Sequence, residues 1–401
     1  MKIVMFGNYA LYFVPRLVAL SNQLMLEGGE LWILQASREN LLYGGIPQTD
    51  MSSLNVVHLW DAPEKLDYQG KAFYMLDKLN PDVLVTGFIA FPYGAVGLKW
   101  AKNRKRGVVE YDDQRLDTFP RGKVSNWIKS RIIRNVDAFL CPSPVWDETL
   151  LLWGFRRQEI FYGLDTSDNV FWGKKVENED FKTLPSSYFM TVGRQGRMKN
   201  LLRFLGAYKE YIKRGGNTPL VMVGNGPDHG MLEELAANDP HIIFLDFQSK
   251  EKIRQLFVRM KALVLPSTKV ETWGMVVNEC MASGHIVAIS NECGSATTLV
   301  KDRVNGFHFS PDNEDEMIDI LFKIQNLSDE EYERMSRASL DIIKDWGLDR
   351  FVDGALGACK YAHANRKNIR NPIDKLLIHL WKGRYNICLL YTSPSPRDTE
   401  R

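Results

Sequence analysis

Two glutamates in one short segment carry the clearest chemical signal in the sequence. Glu271 and Glu279 stand eight residues apart in ETWGMVVNE. A carboxylate suits a site for a sugar or a ribose, because each of its oxygens can accept a hydrogen bond from one of two neighbouring hydroxyls. Each residue also has a plainer interpretation. Glu271 can complement the dipole of the helix that follows, and Glu279 can lie on a solvated helix face.

A basic loop precedes this segment. TVGRQGRMKN, Thr191 to Asn200, places Arg194 and Lys199 between a predicted strand and a predicted helix. Such a junction presents backbone N–H groups and the positive end of a helix dipole to an anion. Two cations there suit a diphosphate, which arginine can bind with two parallel hydrogen bonds. Alone the pattern is weak, since many strand–helix loops carry basic residues.

Glycines mark two further places where a ligand could approach the backbone. Gly224 and Asn225 belong to VGNGP, a turn at the carboxyl end of a predicted strand. Open parallel sheets bind ligands at that edge, although the turn can also serve only to let Asp228 cap the next helix. Gly274 lacks a side chain and would expose the amides at the start of a helix predicted from Met275 to Ala282.

The elements that must position these residues follow a regular alternation. Short apolar runs predict strands, and amphipathic stretches between them predict helices. The strand runs are KIVMF, ELWILQA, NVVHLW, DVLVTGF, GVVEY, AFLCPS and EIFYGL, then YFMTVG, PLVMVG, HIIFLDF, ALVLPS, HIVAIS and FHFS. Fully apolar strands alternating with helices are typical of parallel sheets covered on both faces. The fold class is therefore α/β, with two Rossmann-like domains.

The polar, aperiodic segment 163–187 separates the two series of strands. We place the N-terminal domain at 1–168 and the second domain at 169–345. Residues 346–386 are predicted to form terminal helices. Residues 387–401, with their Ser-Pro repeats, are predicted to be a disordered or non-native tail.

The composition excludes several classes of protein. A formal net charge of +2 over 401 residues argues against bulk binding of nucleic acid. The five dispersed cysteines suggest neither a zinc site nor a disulfide framework, and indicate reduced thiols in the cytoplasm. No apolar run is long enough for a membrane helix. The N-terminus is predicted to form a buried strand, Lys2–Phe6, and not a signal peptide.

The C-terminal stretch is basic and contains one more amphipathic segment. Four apolar residues share one face of the predicted helix Pro372–Trp381: Ile373, Leu376, Leu377 and Leu380. Two interpretations are open. Residues 372–384 could contact a membrane surface, with Lys375, Lys382 and Arg384 meeting anionic headgroups. Alternatively, this is a terminal helix packed on the body of the protein.

Taken together, these segments resemble the C-terminal domain of the family 4 glycosyltransferases, which have the GT-B fold. The family's Glu-x7-Glu segment, small-residue helix and Gly-x-x-V strand correspond to Glu271, Glu279, Ala282, Gly284 and Val287. GRQGRMKN resembles the family's phosphate loop, and VGNGP resembles its Val-Gly-x-Gly-Pro turn. The downstream segment VNGFHFSPDN resembles its Asn-Gly-Phe segment. The matching segments occur in the family's order.

The resemblance implies a role for each matching residue. Arg194 and Lys199 would hold a donor diphosphate, Glu279 the ribose and Glu271 the transferred sugar. Glu271, Arg194 and Lys199 would be the catalytic residues. The remaining implied donor-binding residues are Gly7, Gly224, Asn225, Phe247, Thr272, Trp273, Gly274, Met275 and Val276.

The resemblance also implies an architecture and an activity. Two Rossmann-like domains would face each other across a cleft, with C-terminal helices crossing back to the first domain. The enzyme would transfer a hexose-type sugar, with retention of configuration, from a UDP-sugar or GDP-sugar to a glycan or glycolipid. It would use no metal and no cofactor, and the sequence has no Asp-x-Asp motif. The expected location is the cytoplasm, and the membrane-surface interpretation of residues 372–384 would add peripheral contact at the inner face of the membrane.

Three departures from the family bear on substrate choice. No histidine occurs between His58 and His229, where many relatives carry one beside the sugar. Four residues are candidates for its role on the acceptor side: Glu110, Tyr111, Asp112 and Asp113. Backbone groups alone are the other option. The segment CGSATT lacks a carboxylate that relatives often carry at 297 or 298, and Trp273 replaces a common phenylalanine.

Two other functions stay open on the sequence. One is a different enzyme of the same architecture, such as a sugar-nucleotide epimerase or a phosphorylase, although no lysine is marked for pyridoxal phosphate. The other is a non-catalytic relative that binds a nucleotide sugar.

Overall fold

The computed structural model describes residues 1–9, 11–37, 50–115, 118, 122–177 and 180–383. The predicted tail 387–401 and Arg384 lie outside the described residues. Within the described residues, each of the predicted strand runs contains a strand. The strands are β1 Lys2–Gly7, β2 Glu30–Gln35, β3 Asn55–His58, β4 Val83–Gly87, β5 Gly107–Tyr111, β6 Ala138–Cys141, β7 Ile160–Tyr162, β8 Tyr188–Val192, β9 Leu220–Val223, β10 Ile242–Leu245, β11 Met260–Leu265, β12 Ile286–Ser290 and β13 Gly306–Phe309.

Helices connect these strands. They are α1 Val14–Leu26, α2 Tyr68–Leu79, α3 Pro92–Asn103, α4 Lys123–Ile133, α5 Asp147–Leu152, α6 Asn169–Trp172, α7 Leu201–Lys213, α8 His229–Ala236, α9 Lys250–Phe257, α10 Val276–Ala282, α11 Ala296–Leu299, α12 Glu314–Gln325, α13 Asp329–Ile343, α14 Leu348–Ala364 and α15 Pro372–Leu380. Short 3-10 helices occur at Leu11–Phe13, Leu59–Asp61, Pro144–Trp146, Arg157–Glu159, Arg197–Lys199 and Lys344–Trp346. Among the described residues, no helix has the length and apolar character needed to span a membrane.

The chain divides into two compact units. The first comprises the described residues of Met1–Asp113, Pro120–Asp165 and Leu348–Arg401. Its parallel sheet has the strand order β3-β2-β1-β4-β5-β6-β7. Side chains from α1 and α14 pack with those of β1, β2, β4, β5 and β6 in one core. As predicted, the helix that follows Gly347 belongs to the first unit.

The second unit comprises the described residues of Gln114–Phe119 and Thr166–Gly347. Its parallel sheet has the order β10-β9-β8-β11-β12-β13. Helices α7, α8, α12 and α13 contribute to its core. The helix boundaries follow local capping signals. For example, Ser249 accepts a hydrogen bond from the Lys252 amide, and Asn313 accepts one from the Glu316 amide.

Candidate active site

The strand order of the second unit identifies the edge where a ligand can bind. From β8 the chain proceeds outward to β9 and β10, then returns to place β11 on the other side of β8. The loops after β8 and β11 therefore separate at the carboxyl edge and leave a crevice between them. Ligands in open parallel sheets bind at such a switch point. The predicted Arg194, Lys199 and Glu271 all lie on these two loops.

Lys199 and Glu271 form an ion pair at this switch point, although they are 72 residues apart in sequence. The Lys199 ammonium donates to the Glu271 carboxylate, and the Ser267 hydroxyl donates to the same oxygen at 3.3 Å. Both charged side chains are largely buried, at 16% and 11% exposure. The two loops are also joined by the backbone, since the Thr268 amide donates to the Met198 carbonyl at 2.9 Å. The crevice thus holds a cation and an anion in fixed positions.

Glycines allow the loops after β8 and β9 to interlock. Gly224 has φ +126°, and a Cβ there would lie 2.1 Å from the Gly193 carbonyl oxygen. A Cβ on Gly226 would lie 2.2 Å from the Gln195 carbonyl oxygen. The Gln195 amide donates to the Asn225 carbonyl at 3.0 Å. No larger residue fits these approaches, so the predicted turn VGNGP braces the loop that carries Arg194 and Lys199.

The outer end of the crevice edge is polar and aromatic. The Asn225 side-chain amide donates to the Asp246 carboxylate at 2.8 Å. Phe247 follows β10 and is more than half exposed. These residues follow neighbouring strands, as predicted, and the Phe247 side chain is exposed at the sheet edge.

Gly274 is required at the start of α10. It has φ +89°, and a Cβ would lie 2.8 Å from the Leu265 side chain and 3.3 Å from the Cys293 sulfur. Its carbonyl accepts from the Val277 amide at 2.9 Å. The predicted helix start at Met275 is one residue earlier than the observed start at Val276. Glu271 lies five residues before the start of α10, outside the first turn of the helix. The alternative interpretation, that Glu271 only complements the helix dipole, is therefore wrong.

Trp273 lies inside the protein and not on the surface of a sugar pocket. Its side chain is buried, and its indole N–H donates to the Asn278 side chain at 2.8 Å. Its ring contacts Trp346 with centroids 5.4 Å apart. The buried indole cannot make the predicted contact with a donor, and only the backbone of Trp273 is left as a candidate for it. The indole instead fixes the loop between Glu271 and α10.

The segment after β12 clamps the same loop, a contact that was not predicted from the sequence. The Gly294 amide donates to the Glu271 carbonyl at 3.1 Å, and the Ser295 amide donates to the Trp273 carbonyl at 3.2 Å. The Cys293 thiol donates to that same carbonyl at 3.0 Å. A Cβ on Gly294 would lie 1.6 Å from the Thr272 carbonyl oxygen. The glycine in CGSATT could have indicated this contact, because a glycine often marks a place where two backbone segments approach closely.

Glu279 lies in α10 and is half-buried. Desolvation raises the pKa of its carboxyl group to about 8. Within the described part of the chain, no hydrogen bond to its carboxylate oxygens is formed. A carboxyl group on a solvated helix face would keep its ordinary pKa. The alternative interpretation of Glu279 as a residue of such a face therefore does not agree with the structure.

The first unit holds the predicted acceptor-side residues. Glu110 is fully buried in β5, where one carboxyl oxygen accepts from the Ile89 amide at 3.2 Å. Burial raises the pKa of this carboxyl group well above its usual range. Glu110 therefore supports the loop between β4 and α3 from beneath, and its side chain has no surface open to a substrate.

Tyr111, Asp112 and Asp113 follow at the carboxyl end of β5. The Tyr111 ring lies 5.7 Å from the Phe13 ring, and burial raises the pKa of its hydroxyl to about 12. Asp112 is buried, and its amide donates to the Leu140 carbonyl at 3.3 Å. The Asp113 carbonyl accepts from the Trp146 indole at 2.9 Å. These three residues lie at the carboxyl edge of the first sheet.

Gly7 ends β1 at the same edge of the first sheet. A Cβ there would lie 3.1 Å from the Tyr111 hydroxyl and 3.2 Å from the Tyr9 ring. The space beside Gly7 is thus taken by two tyrosines of its own unit. The single glycine of this loop makes room for these aromatic side chains.

Comparison with known proteins relates this geometry to a family. Residues 166–340 match the family model described as "Glycosyl transferases group 1". The match begins at the first residue of the second unit's main segment, Thr166. It contains the whole crevice edge with Lys199, Glu271 and Glu279. Residues 166–340 are therefore similar to a group 1 glycosyltransferase domain.

Solved structures show the same architecture across the chain. The sucrose-phosphate synthase of Thermosynechococcus elongatus has a TM-score of 0.73 and 13% identity, covering 91% of this chain and 99% of that one. Anabaena Alr3699/HepE in complex with UDP has a TM-score of 0.71 and 13% identity, covering 90% and 100%. The lipopolysaccharide outer core galactosyltransferase WaaB, in its apo form, has a TM-score of 0.66 and 16% identity, covering 89% and 99%. A comparison with curated protein sequences gave no significant match.

The predicted fold class is confirmed, because two Rossmann-like parallel sheets with covering helices match GT-B glycosyltransferases. The chain is an enzyme of the transferase class. The roles of individual residues of the second unit stay predictions.

Gly294→Ala is expected to abolish most glycosyltransferase activity without unfolding the domain. A Cβ cannot lie 1.6 Å from the Thr272 oxygen, so the loop that carries Glu271 must move. Activity assays and thermal melting measure the two effects separately. Gly206→Ala is the matched control, since its Cβ would have no neighbour within 4 Å in α7. The control should keep full activity and gain about 0.5–1 kcal/mol of stability. Normal activity in Gly294→Ala would show that the clamp is dispensable.

The affinity of the protein for a nucleoside diphosphate is expected to rise with pH through about 8, because burial raises the pKa of Glu279 to about that value. The ionised carboxylate can accept from both ribose hydroxyls, whereas the protonated form has lost acceptor capacity. Kd should fall by up to about ten-fold between pH 7 and 9, as the ionised fraction rises. Calorimetry at several pH values measures this. In the Glu279→Gln variant, Kd should no longer depend on pH in this range. An unchanged pH dependence would show that another group titrates.

Proposed function

We propose that the protein is a retaining glycosyltransferase. It transfers a hexose-type sugar from a UDP-sugar or GDP-sugar to a glycan or lipid-linked acceptor. The proposal includes the absence of a bound metal or cofactor, with Arg194 and Lys199 neutralising the diphosphate instead. A cytoplasmic location is part of the same proposal.

The observation that carries this proposal is the ion pair between Lys199 and Glu271 at the switch point. A single site there offers a cation to a diphosphate and a carboxylate to sugar hydroxyls. Both are needed where a sugar is attached to a phosphate. Their burial strengthens interactions with a ligand, because water competes less in a site of lower dielectric constant.

The proposed reaction breaks the bond between the anomeric carbon and the donor phosphate oxygen. The acceptor oxygen forms a new bond to the same face of that carbon, and its proton passes to the departing diphosphate. Negative charge develops on the diphosphate during this step. Lys199 and Arg194 would stabilise that charge, while Glu271 would hold the sugar hydroxyls in place.

The nucleotide would extend from the ion pair toward β9 and β10. Glu279 would hold the ribose, and the base would lie near Asn225 and Phe247. The exposed ring of Phe247 supports this direction, because an aromatic ring can stack on a base. Anabaena Alr3699/HepE, a protein of similar fold, has been solved in complex with UDP-glucose. That likeness supports a UDP-sugar as the first donor to test.

The acceptor would bind at the carboxyl edge of the first sheet. Tyr111, Asp112 and Asp113 lie at that edge, whereas the Glu110 carboxyl is enclosed. In place of the histidine that many relatives carry, we propose that one of the carboxylates Asp112 and Asp113 orients the acceptor hydroxyl.

A screen of nucleotides and sugar nucleotides tests the proposal. UDP, GDP, ADP and their sugars are each added before thermal melting. A ligand at a hundred-fold excess over Kd should stabilise the protein by about 2.7 kcal/mol and raise Tm accordingly. The sugars that bind are then incubated with candidate acceptors, and NMR identifies the anomeric configuration of the product.

Each negative outcome has a distinct meaning. If none of the added nucleotides or sugar nucleotides raises Tm, the protein is not a nucleotide-sugar enzyme. Conversion of the donor sugar without any acceptor would identify an epimerase. Binding without conversion across the acceptor set would identify a non-catalytic relative. A product with inverted configuration would overturn the retaining mechanism.

A further inference from the structure

Helices α4 and α15 of the first unit lie side by side, joined by a charged cluster. Asp374 of α15 accepts hydrogen bonds from Arg131 at 2.7 Å and from Arg134 at 2.7 Å, both close to the end of α4. The Asn135 side chain donates to the same carboxylate at 3.3 Å. Asp374 and Ile378 are buried. These contacts define the side of α15 that faces the protein.

The other end of α15 is also attached. The Trp381 indole donates to the Ile89 carbonyl at 2.7 Å, in the loop between β4 and α3. Since β4 and α3 meet at the carboxyl edge of the sheet, α15 ends at that edge. The start of α15 lies near the end of α4, so the two helices run in opposite directions. The helix is thus fixed on the first unit at both ends.

The outer sides of both helices carry large apolar residues. Five side chains on this surface are between 48% and 72% exposed: Val124, Trp127, Ile373, Leu376 and Leu380. The predicted apolar face of α15 therefore exists, but it points mostly to solvent. The helix packs on the body of the protein by a different face. We call these five residues and their basic neighbours the α4–α15 surface.

The α4–α15 surface is strongly basic. Residues 122–135 and 363–383 contain nine lysines and arginines and one acidic residue, Asp374, a net charge of +8 in a chain whose total is +2. The remainder of the chain is therefore net acidic. Five of the nine basic residues are exposed: Lys123, Arg366, Arg370, Lys375 and Lys382. Exposed apolar side chains and cations thus share one surface.

We propose that the α4–α15 surface binds an anionic phospholipid bilayer. Apolar side chains next to cations are the composition of helices that lie in a membrane interface. Trp127 suits this position, because indole rings prefer the headgroup level. Lys375 and Lys382 flank the apolar stripe and can extend toward phosphates while their stems stay in the apolar layer.

Charge distinguishes the bilayer from two other occupants. A second copy of this chain would bring the same excess of positive charge to the interface. Residues 384–401 contain three arginines and two acidic residues, a net charge of +1, so they do not complement the surface either. An anionic bilayer supplies both the opposite charge and an apolar layer. For the lipid-linked acceptor in the proposed function, this docking would hold the enzyme at the layer that contains its substrate.

Vesicle flotation of the full chain tests the proposal without donor or acceptor. We expect binding to vesicles of phosphatidylcholine with phosphatidylglycerol, little binding to phosphatidylcholine alone, and release at high salt. The triple variant Trp127→Ser, Leu376→Ser and Leu380→Ser should have an affinity for the anionic vesicles that is lower by about ten-fold or more. Lys375→Glu with Lys382→Glu should bind the anionic vesicles no better than vesicles of phosphatidylcholine alone, because the attraction to anionic headgroups is removed.

A matched control uses other exposed apolar residues of the first unit. Met25→Ser with Leu26→Ser, on α1, should bind vesicles like the unmodified chain; these residues are 59% and 83% exposed. All variants should melt at the same temperature and keep the same Tm response to nucleotides. Equal binding to both vesicle types, or normal binding by the serine and glutamate variants, would overturn the proposal. Self-association that the serine variant abolishes, without vesicle binding, would assign the surface to a second copy.

Failure here leaves the proposed function intact, because the nucleotide screen and the vesicle assay measure different sites. Truncation after Gly383 adds one more distinction. Loss of vesicle binding on truncation, with normal binding by the substituted surface, would place the lipid contact in residues 384–401 and contradict the α4–α15 surface.

Discussion

Replacing Glu271 by alanine is expected to lower the rate of sugar transfer by about 10²- to 10³-fold, the usual effect of removing a preorganised polar group from a reacting centre. The carboxylate is held by Lys199 and Ser267 in one position before any ligand binds. Its removal deprives the sugar of an acceptor for its hydroxyls. It also removes the ion pair between Glu271 and Lys199. Steady-state kinetics with the donor found by screening measures the effect on kcat and KM.

The neighbouring charge makes the choice of controls important. Glu271→Gln keeps a side chain of similar size and one acceptor oxygen, so its rate should lie between those of the alanine variant and the unmodified enzyme. Glu330→Ala, at an exposed position of α13, should have normal activity. Thermal melting checks that the alanine variant stays folded. A folded Glu271→Ala enzyme with unchanged kcat/KM would show that the sugar is bound elsewhere.

Lys199→Ala is expected to reduce kcat strongly and to weaken binding of the nucleoside diphosphate product. A cation at the crevice stabilises charge that grows on the diphosphate as the glycosidic bond breaks, so the effect on the transition state should exceed the effect on donor binding. Product affinity from calorimetry and kcat from initial rates separate these contributions. Lys199→Arg should restore part of the activity, because it keeps the positive charge.

A double-mutant cycle between Lys199 and Glu271 tests whether the pair acts as a unit. Residues in direct contact show interaction energies of about 0.5–3 kcal/mol, so the combined effect should be smaller than the product of the two single effects. Arg203→Ala, which removes an exposed ion pair with Asp312 in the same unit, is the comparison for loss of a cation. Strictly additive effects would indicate that Lys199 and Glu271 serve separate sites.

The elements of this fold were predictable because its signals are local. Every apolar run identified in the sequence contains a strand within the described residues. The predicted helix Leu201–Lys213 has the observed boundaries, and α10 differs from its prediction by one residue. Strands of a covered parallel sheet are apolar on both faces, which makes them readable one by one. The glycines at 224 and 274 were also identified from their local turns.

Other features depend on contacts between distant segments. The sequence placed Trp273 at the donor, but its indole is buried against Trp346, 73 positions later. Glu110 was a candidate for the acceptor side, yet its carboxyl is enclosed beneath the Ile89 loop. The clamp by Gly294 was not predicted at all. In each case the side chain's environment comes from another strand or helix, and no local pattern specifies it.

The glutamate segment shows the same division. The sequence alone determined that Glu271 follows a buried strand and that Glu279 lies in the next helix, because strand and helix periodicity are properties of neighbouring residues. Only the tertiary structure decided that Glu271 meets Lys199, since that contact depends on the position of β11 beside β8. Likewise, the sequence determined that α15 has an apolar face. Only the tertiary structure shows that this face points to solvent, because the ion pairs of Asp374 hold a different side of α15 against the protein.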